Sequence, residues 1–207
     1  MTQQLRIYGD IQSGNCYKVK LVLSLLGMAH EWVHVDILKG ETRTDEFLAM
    51  NPNGKIPLLL LPDGRSLAES NAIIHYLAHG SALIPSDAFT HAHMLAWQFF
   101  EQYSHEPFIA VARFIQHYLG LPESRRAEYD SLQPKGHKAL AVMEQALQRN
   151  PWLCGQAPTL ADISLYAYTH VAHQGGFDLA AYPAITRWLD QVRQLPGYVG
   201  MDDGATS

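Results

Sequence analysis

Cysteine is scarce in this chain: Cys16 and Cys154 are the only two in 207 residues, which rules out a disulfide framework and is ordinary for a reducing compartment. No apolar stretch reaches the roughly 18 residues that a membrane-crossing helix needs. Runs of Lys or Arg are also missing. With a formal charge of −5 and a pI near 6.1, the chain has no electrostatic footprint for nucleic acid or a membrane surface. The opening MTQQLRIYGD lacks the basic-then-apolar pattern of a secretory leader. There are no internal repeats and no low-complexity tracts. Neither H-E-x-x-H nor a paired-cysteine zinc pattern occurs, although the chain holds 11 histidines. These absences lead us to expect a cytoplasmic protein without a metal, whose partners are small molecules or proteins.

The chain is 47% hydrophobic, which suits a globular protein with one large core or two modest ones. Residues 5–8 alternate apolar and polar before Gly9, and Val19, Val22, Leu23, Leu25 and Leu26 give helical spacing up to Gly27. Residues 30–35 resemble a second strand and 45–50 a short helix. Residues 58–61 and 65–67 form a hairpin across the turn chemistry of Pro62-Asp63-Gly64. Ile73, Ile74 and Leu77 then mark a helix that opens at Glu69-Ser70. The order β-α-β-α-β-β-α matches a thioredoxin-like layer of mixed sheet and helices over residues 1–80, although pattern alone permits other α/β arrangements. Residues 81–88 read as a linker, and 89–207 show helix periods only. The expected class is therefore α/β plus all-α. Within the second half, 91–119 is a long aromatic helix that Pro107 should kink or split. Residues 125–148 form another helix, and 184–194 the last, stopped by Pro196-Gly197.

Two turns carry chemistry. The loop Gln12-Ser13-Gly14-Asn15-Cys16-Tyr17-Lys18 opens the first helix, where backbone N–H groups without intrahelical partners favour an anion. A substrate thiolate placed there gains about 0.3 to 2 kcal/mol from the dipole and about 1.5 to 3 kcal/mol per charge-assisted hydrogen bond. Lowering a thiol pKa by two units takes about 2.7 kcal/mol, so Ser13 Oγ with the dipole can supply it, and Asn15 Nδ2 is a second candidate donor. Cys16 is the rival. Its position tends to face the sheet, which would bury it; if exposed, it would allow thiol-disulfide exchange, although Ser13 stands where the first sulfur of a C-x-x-C would be.

The second turn is Glu69-Ser70. A helix N-terminus attracts a carboxylate while Glu69 can hold an ammonium, so the turn can grip an amino acid by both α-groups. It can equally be a cap for its own helix. Pro57 opens a strand, where its missing N–H is tolerated, and X-Pro bonds are mostly trans. Thr159-Leu160-Ala161-Asp162 has the form of a capping box, a structural device. The pairs His75/His79, His91/His93 and His170/His173 read as solvated helix faces. His105-Glu106, near Tyr103 and Arg113, could line a pocket or make an interhelix or intersubunit pair.

Taken together, Ser13-Gly14-Asn15-Cys16, Asn51-Pro52-Asn53-Gly54-Lys55-Ile56-Pro57, Glu69-Ser70-Asn71-Ala72-Ile73 and Pro158-Thr159-Leu160-Ala161-Asp162 resemble the motifs of the cytosolic glutathione transferases, in that family's order and over nearly the whole chain. The likeness is to bacterial, theta-like, serine-type members, with some features of a bacterial disulfide-reductase branch. The resemblance implies a thioredoxin-like domain that binds glutathione as co-substrate, a helical domain that supplies most of an apolar electrophile pocket, a homodimer and a detoxifying role. Ile56 would pair its backbone with the cysteinyl backbone of glutathione, which requires Pro57 to be cis. Glu69 and Ser70 would hold the γ-glutamyl end, Lys55 would meet the glycyl carboxylate, and Leu38 or Lys39 would line the same side. Ser13 would stabilise the thiolate, and Phe99, Phe100, Tyr103 and Phe108 would stand beside the electrophile. Asn15 occupies a position that often carries Pro. Asn occurs there in a bacterial branch with glutathione-dependent disulfide reductase activity, so disulfide or peroxide reduction is the alternative to conjugation. A non-catalytic binding module is the third reading.

Overall fold

The computed structural model describes residues 4–203, which fall into two compact units. One takes the described residues up to Ser81 together with those from Leu195 onward, and the other takes Ala82–Gln194.

In the first unit the elements run β1 (Leu5–Gly9), α1 (Gly14–Leu25), β2 (His30–His34), α2 (Asp45–Met50), β3 (Leu58–Leu60), β4 (Ser66–Ala68) and α3 (Ser70–Leu77). The sheet order is β2-β1-β3-β4. β1 and β2 pair in parallel, and β3 lies antiparallel to both β1 and β4. This is the thioredoxin-like arrangement that the element order implies, with a short 3-10 turn at Glu41–Arg43 added before α2. Ile7, Leu58 and Leu59 from the sheet and Val19, Val22, Leu23, Ile73 and Ile74 from the helices are buried. Each such side chain contributes about 1.5 to 3 kcal/mol relative to exposure. Gly9 sets how closely α1 approaches the sheet, because a Cβ there would lie 2.8 Å from Cys16 Sγ and 3.2 Å from the Trp32 ring.

The tail from Leu195 belongs to this unit, an assignment the sequence reading did not make. Tyr17 Oη donates to the Val199 carbonyl at 2.8 Å and Ser24 Oγ to the Gly197 carbonyl at 2.7 Å. Lys20 Nζ donates to the carbonyls of Gly200 at 3.0 Å and Met201 at 2.9 Å, and also to that of Asp203.

The second unit contains α4 (Ala88–Phe100), α5 (Glu106–Arg113), α6 (Arg126–Arg149), α7 (Leu160–Thr169) and α8 (Pro183–Arg193). Asp87 starts α4 by accepting from the Thr90 amide at 2.8 Å, three residues before the helical pattern becomes visible. Pro107 neither breaks nor ends the helical run. A π-wound segment, Glu101–His105, connects α4 to α5, and Pro107 falls in the first turn of α5, where a missing N–H is tolerated. A second π segment, Phe114–Tyr118, follows. Pro134 sits inside α6 without ending it. Gly136 in the same helix is required by packing, since a Cβ there would lie 2.3 Å from the Phe177 ring.

The start of α7 is a full capping box. Asp162 Oδ2 accepts from the Thr159 amide at 2.9 Å and from Thr159 Oγ1 at 3.2 Å; its Oδ1 accepts from the Leu153 amide at 3.0 Å and from Trp188 Nε1 at 2.9 Å. The carboxyl is fully buried. Burial pushes its pKa up, and the donors from Leu153, Thr159 and Trp188 oppose the shift. One side chain thus caps a helix, anchors the preceding loop and holds the buried indole of α8. Asp162→Ala should cost about 3 to 5 kcal/mol, a lost cap plus two stranded buried donors, whereas Thr159→Ala should cost about 1 kcal/mol. Urea unfolding of the two variants checks this; equal and small losses would contradict the anchoring role.

Candidate functional site

Ser13 is the N-cap of α1, held by its amide donating to the Asp10 carbonyl at 3.0 Å. Its Oγ accepts from the Cys16 amide at 3.4 Å. A hydroxyl that accepts in this way still has one proton to donate, and Ser13 is only half-buried. Cys16 is fully buried against the end of β1. Burial pushes its thiol from an ordinary 9.0 up to about 12, with hydrogen bonds from Ser13 and the Asp10 backbone opposing. The burial reading of Cys16 therefore holds, and the exposed, low-pKa alternative does not. Cys154, half-buried, is likewise pushed up by burial to about 11.

Asn15 points to a different partner. Its Oδ1 accepts from Lys18 Nζ at 2.9 Å and from Ser70 Oγ at 3.2 Å, while Lys18 Nζ also reaches Ser70 Oγ at 3.4 Å. An ammonium has only donors, so the amide must present its oxygen to Lys18, which turns Nδ2 to the opposite side. The first turn of α1 and the first residue of α3 are thereby tied together. Lys18 is 0% exposed. It is the residue that sequence reasoning missed, because a lysine ordinarily reads as surface. The available signal was its i,i+3 spacing from Asn15 inside the apolar face of Val19, Leu21 and Val22.

At the start of α3, Glu69 occupies the N-cap position with φ 69° and ψ 112° and makes no side-chain cap bond. The left-handed region costs a non-glycine residue about 1 kcal/mol or more. The first intrahelical N–H bond runs from Ile73 to the Glu69 carbonyl, so the amides before it have no acceptor within the helix. Ser70 is buried and engaged with Asn15 and Lys18, and Glu69 is exposed. Neither side chain caps α3, which removes the capping alternative and leaves a strained turn with an exposed carboxylate beside an anion-attracting helix end.

The loop before β3 is fastened by Asn51, whose Nδ2 donates to the Lys55 carbonyl at 2.7 Å and whose Oδ1 accepts from the Asn53 amide at 3.1 Å. The Ile56–Pro57 peptide bond is cis. Lys55 is exposed, with no ion-pair partner among the described residues. Leu38, 66% exposed, and Lys39 lie on the loop after β2. Both of their amides donate to Asp36 Oδ1, and Lys39 Nζ pairs with Asp36 at 3.1 Å. The Lys39 ammonium holds the Asp36 carboxyl below its ordinary pKa.

In the second unit, Phe100 and Phe108 line a cleft of about 230 Å³ with Ser104, Lys135, Lys138, Ala139 and Val142. Lys135 Nζ sits 5.5 Å from the centre of the Phe108 ring. Tyr103 and Phe99 do not line this cleft and are 85% and 68% exposed. His105 turns inward to the Thr169 hydroxyl at 2.9 Å, an interhelix pair. Arg113 is buried, with Nε donating to Gln174 Oε1 at 2.6 Å. The histidines are not uniformly solvated: His170 stacks on Tyr166 at 4.7 Å, and burial pushes its pKa down to about 4. No group of His, Cys, Asp and Glu among the described residues could hold a metal ion, and none of the helices described is long and apolar enough to cross a membrane.

A thioredoxin-like unit with a cis-proline before β3 and a strained turn at α3, joined in sequence to an all-helical unit, defines the glutathione-transferase class of fold. The profile of the glutathione S-transferase N-terminal domain matches residues 12–79, and that of its C-terminal domain matches 89–196. The chain belongs to the glutathione S-transferase family. It is 58% identical to a glutathione S-transferase from Pseudomonas fluorescens whose crystal structure superposes with a TM-score of 0.96, covering 97% of this chain and 100% of that one. The glutathione transferase URE2P6 from Phanerochaete chrysosporium, solved in complex with oxidized glutathione, is 26% identical with a TM-score of 0.85, covering 94% and 93%. The disulfide-bond oxidoreductase YfcG of Escherichia coli (strain K12) is 29% identical over 189 residues, 88% of this chain and 87% of that protein.

The buried thiol gives a direct test. Folding favours the protonated form of Cys16, so alkylation by iodoacetamide should remain negligible from pH 7 to 9, where thiolate makes up roughly a thousandth of the population or less. It should rise only as the pH approaches about 12 or as the chain unfolds. Mass spectrometry of the Cys16 peptide after timed alkylation at pH 8 reads this; rapid labelling of the folded protein would contradict it.

Proposed function

We propose that the protein binds glutathione through its first unit, ionises the bound thiol at the first turn of α1, and transfers the glutathionyl group to an electrophile. The observation that carries this reading is the convergence of two helix N-terminal turns, one at Ser13 and one at Glu69-Ser70, through the Asn15 carbonyl. A tripeptide with a carboxylate at one end and a thiol at its middle matches that pair of anion-attracting turns. Glu69 holds the γ-glutamyl ammonium, while Ser70 and the first amides of α3 hold its carboxylate. The Ile56 backbone, next to Pro57, pairs with the cysteinyl backbone, and Lys55 meets the glycyl carboxylate with Leu38 or Lys39 nearby. Ser13 donates its hydroxyl proton to the sulfur anion as a hydrogen bond and keeps it throughout. The thiol proton passes to solvent; the thiolate then attacks the electrophilic carbon, a C–S bond forms, and the leaving group departs with the electron pair of the broken bond. Phe100 and Phe108 are our candidates for the apolar body of the electrophile. Tyr103, so exposed, is better suited to a contact with another chain. Together with Phe99 it supports the homodimer as the working form, which sedimentation would test.

Asn15 favours a second reaction of the same thiolate. It would attack a disulfide, one thiol would leave, and a second glutathione would resolve the mixed disulfide to give oxidised glutathione. The likeness to the E. coli disulfide-bond oxidoreductase points the same way. Comparing 1-chloro-2,4-dinitrobenzene with 2-hydroxyethyl disulfide as substrates separates the two reactions.

Ser13→Ala should raise the thiol pKa of bound glutathione by about one unit or more, the worth of one hydrogen bond to an anion, and lower turnover at pH 6.5 by about tenfold, with the Kd for S-hexylglutathione little changed. The thiolate absorbance near the far-ultraviolet edge, followed against pH with saturating glutathione, measures it. An unchanged pKa would remove Ser13 from the mechanism.

A further inference from the structure

Lys18 is a buried side chain of the first unit that bonds both Asn15, at the thiol end of the proposed glutathione site, and Ser70, at its γ-glutamyl end, and no motif explains it. It sits one turn into α1, is 0% exposed, and donates at once to Asn15 Oδ1 at 2.9 Å and to Ser70 Oγ at 3.4 Å. Burying an ammonium is costly unless its hydrogens are used and its charge meets a countercharge. Asn15 and Ser70 supply oxygens to it, and the helix end beside Ser70 is where an anion would be stabilised.

We propose that Lys18 is a positioning residue that couples the thiol end of the site to the γ-glutamyl end. Its ammonium fixes the Asn15 amide with oxygen inward and Nδ2 outward, and it sets a buried positive charge directly behind the Ser70 hydroxyl. Ser70 now gives its proton to Asn15. When a carboxylate arrives at α3, that proton can turn to the ligand, because Lys18 still supplies a donor to Asn15 Oδ1. Ligand binding therefore leaves neither Asn15 nor Ser70 unsatisfied. Lysine is suited to this task because it has three rotatable donors and no acceptor.

The inference rests on the glutathione reading above, and its test keeps the two apart. Two ligands are compared by calorimetry: S-hexylglutathione, and the S-hexyl derivative of 4-aminobutyryl-cysteinylglycine, which lacks only the γ-glutamyl α-carboxylate. For the wild type, the ratio of the two Kd values reports what the site gains from that carboxylate. In Lys18→Met and Lys18→Gln this ratio should shrink by about tenfold or more, the effect of a unit charge several ångströms from a carboxylate in a partly buried site. A merely structural lysine would weaken both ligands equally and leave the ratio unchanged, and that result overturns the proposal. If the wild type binds neither ligand, the glutathione reading itself fails, an outcome distinct from an unchanged ratio. Should both Lys18 variants fail to fold, Lys18→Arg reads the same ratio, since a guanidinium keeps the positive charge. The ratio should stay within about threefold of the wild type, and a roughly tenfold fall in a folded Lys18→Arg protein overturns the proposal.

Discussion

A single amide oxygen, Asn15 Oδ1, accepts from the Lys18 ammonium and from the Ser70 hydroxyl, and the site is arranged around that contact. It joins the opening turn of α1 to the opening turn of α3, two helix ends that attract negative charge for the same reason: their first amides have no acceptor inside the helix. The contact is partly buried, which limits competition from solvent. The residues on either side, Ser13 and Glu69, remain accessible enough to meet a ligand. The sheet provides the platform, since β1 delivers Ser13 at one end and the β3-β4 hairpin delivers Glu69 and Ser70 at the other.

The protein's own sulfur is kept apart from this chemistry by packing. Cys16 lies one residue beyond Asn15, yet the missing side chain of Gly9 lets it seat against the end of β1, where burial pushes the thiol up to about 12. Two neighbouring residues on one helix turn thus have opposite assignments. Asn15 belongs to the polar cluster shared with α3, and Cys16 belongs to the core. The distinction bears on the two reactions considered for the protein, because both use a sulfur supplied by the ligand.

Much of the fold was legible in the sequence because its signals are periodic. The alternation before Gly9, the apolar spacing of α1 and α3, and the Pro62-Asp63-Gly64 turn located the first unit's elements to within a residue or two. The capping box at Thr159 was legible as well, since its chemistry is local. What could not be read depends on contacts distant in sequence or on backbone geometry. The π winding that accommodates Pro107 leaves the helical pattern unbroken. The tail from Leu195 joins the first unit through carbonyls, which have no residue-type signature. The cis bond at Pro57, the minority state for any X-Pro pair, is implied by the family resemblance and not by the local residues alone. Within the proposed site, helix-end logic points to Ser13, Glu69 and Ser70. It does not point to Lys18, because a lysine between apolar residues suggests a snorkelling surface chain rather than a buried tie. Tyr103 was grouped with Phe100 and Phe108 by aromatic density, but the π segment turns it outward to 85% exposure.

The central claim is that the opening turn of α1 holds a sulfur anion belonging to a bound tripeptide whose α-carboxylate rests on α3. A crystal structure of the protein soaked with glutathione measures this most directly. The account predicts the ligand sulfur within hydrogen-bond reach of Ser13 Oγ, about 3.5 Å or less, the γ-glutamyl carboxylate on Ser70 and the first amides of α3, and Cys16 unmodified. A sulfur placed out of reach of Ser13, or a mixed disulfide with Cys16, would contradict it.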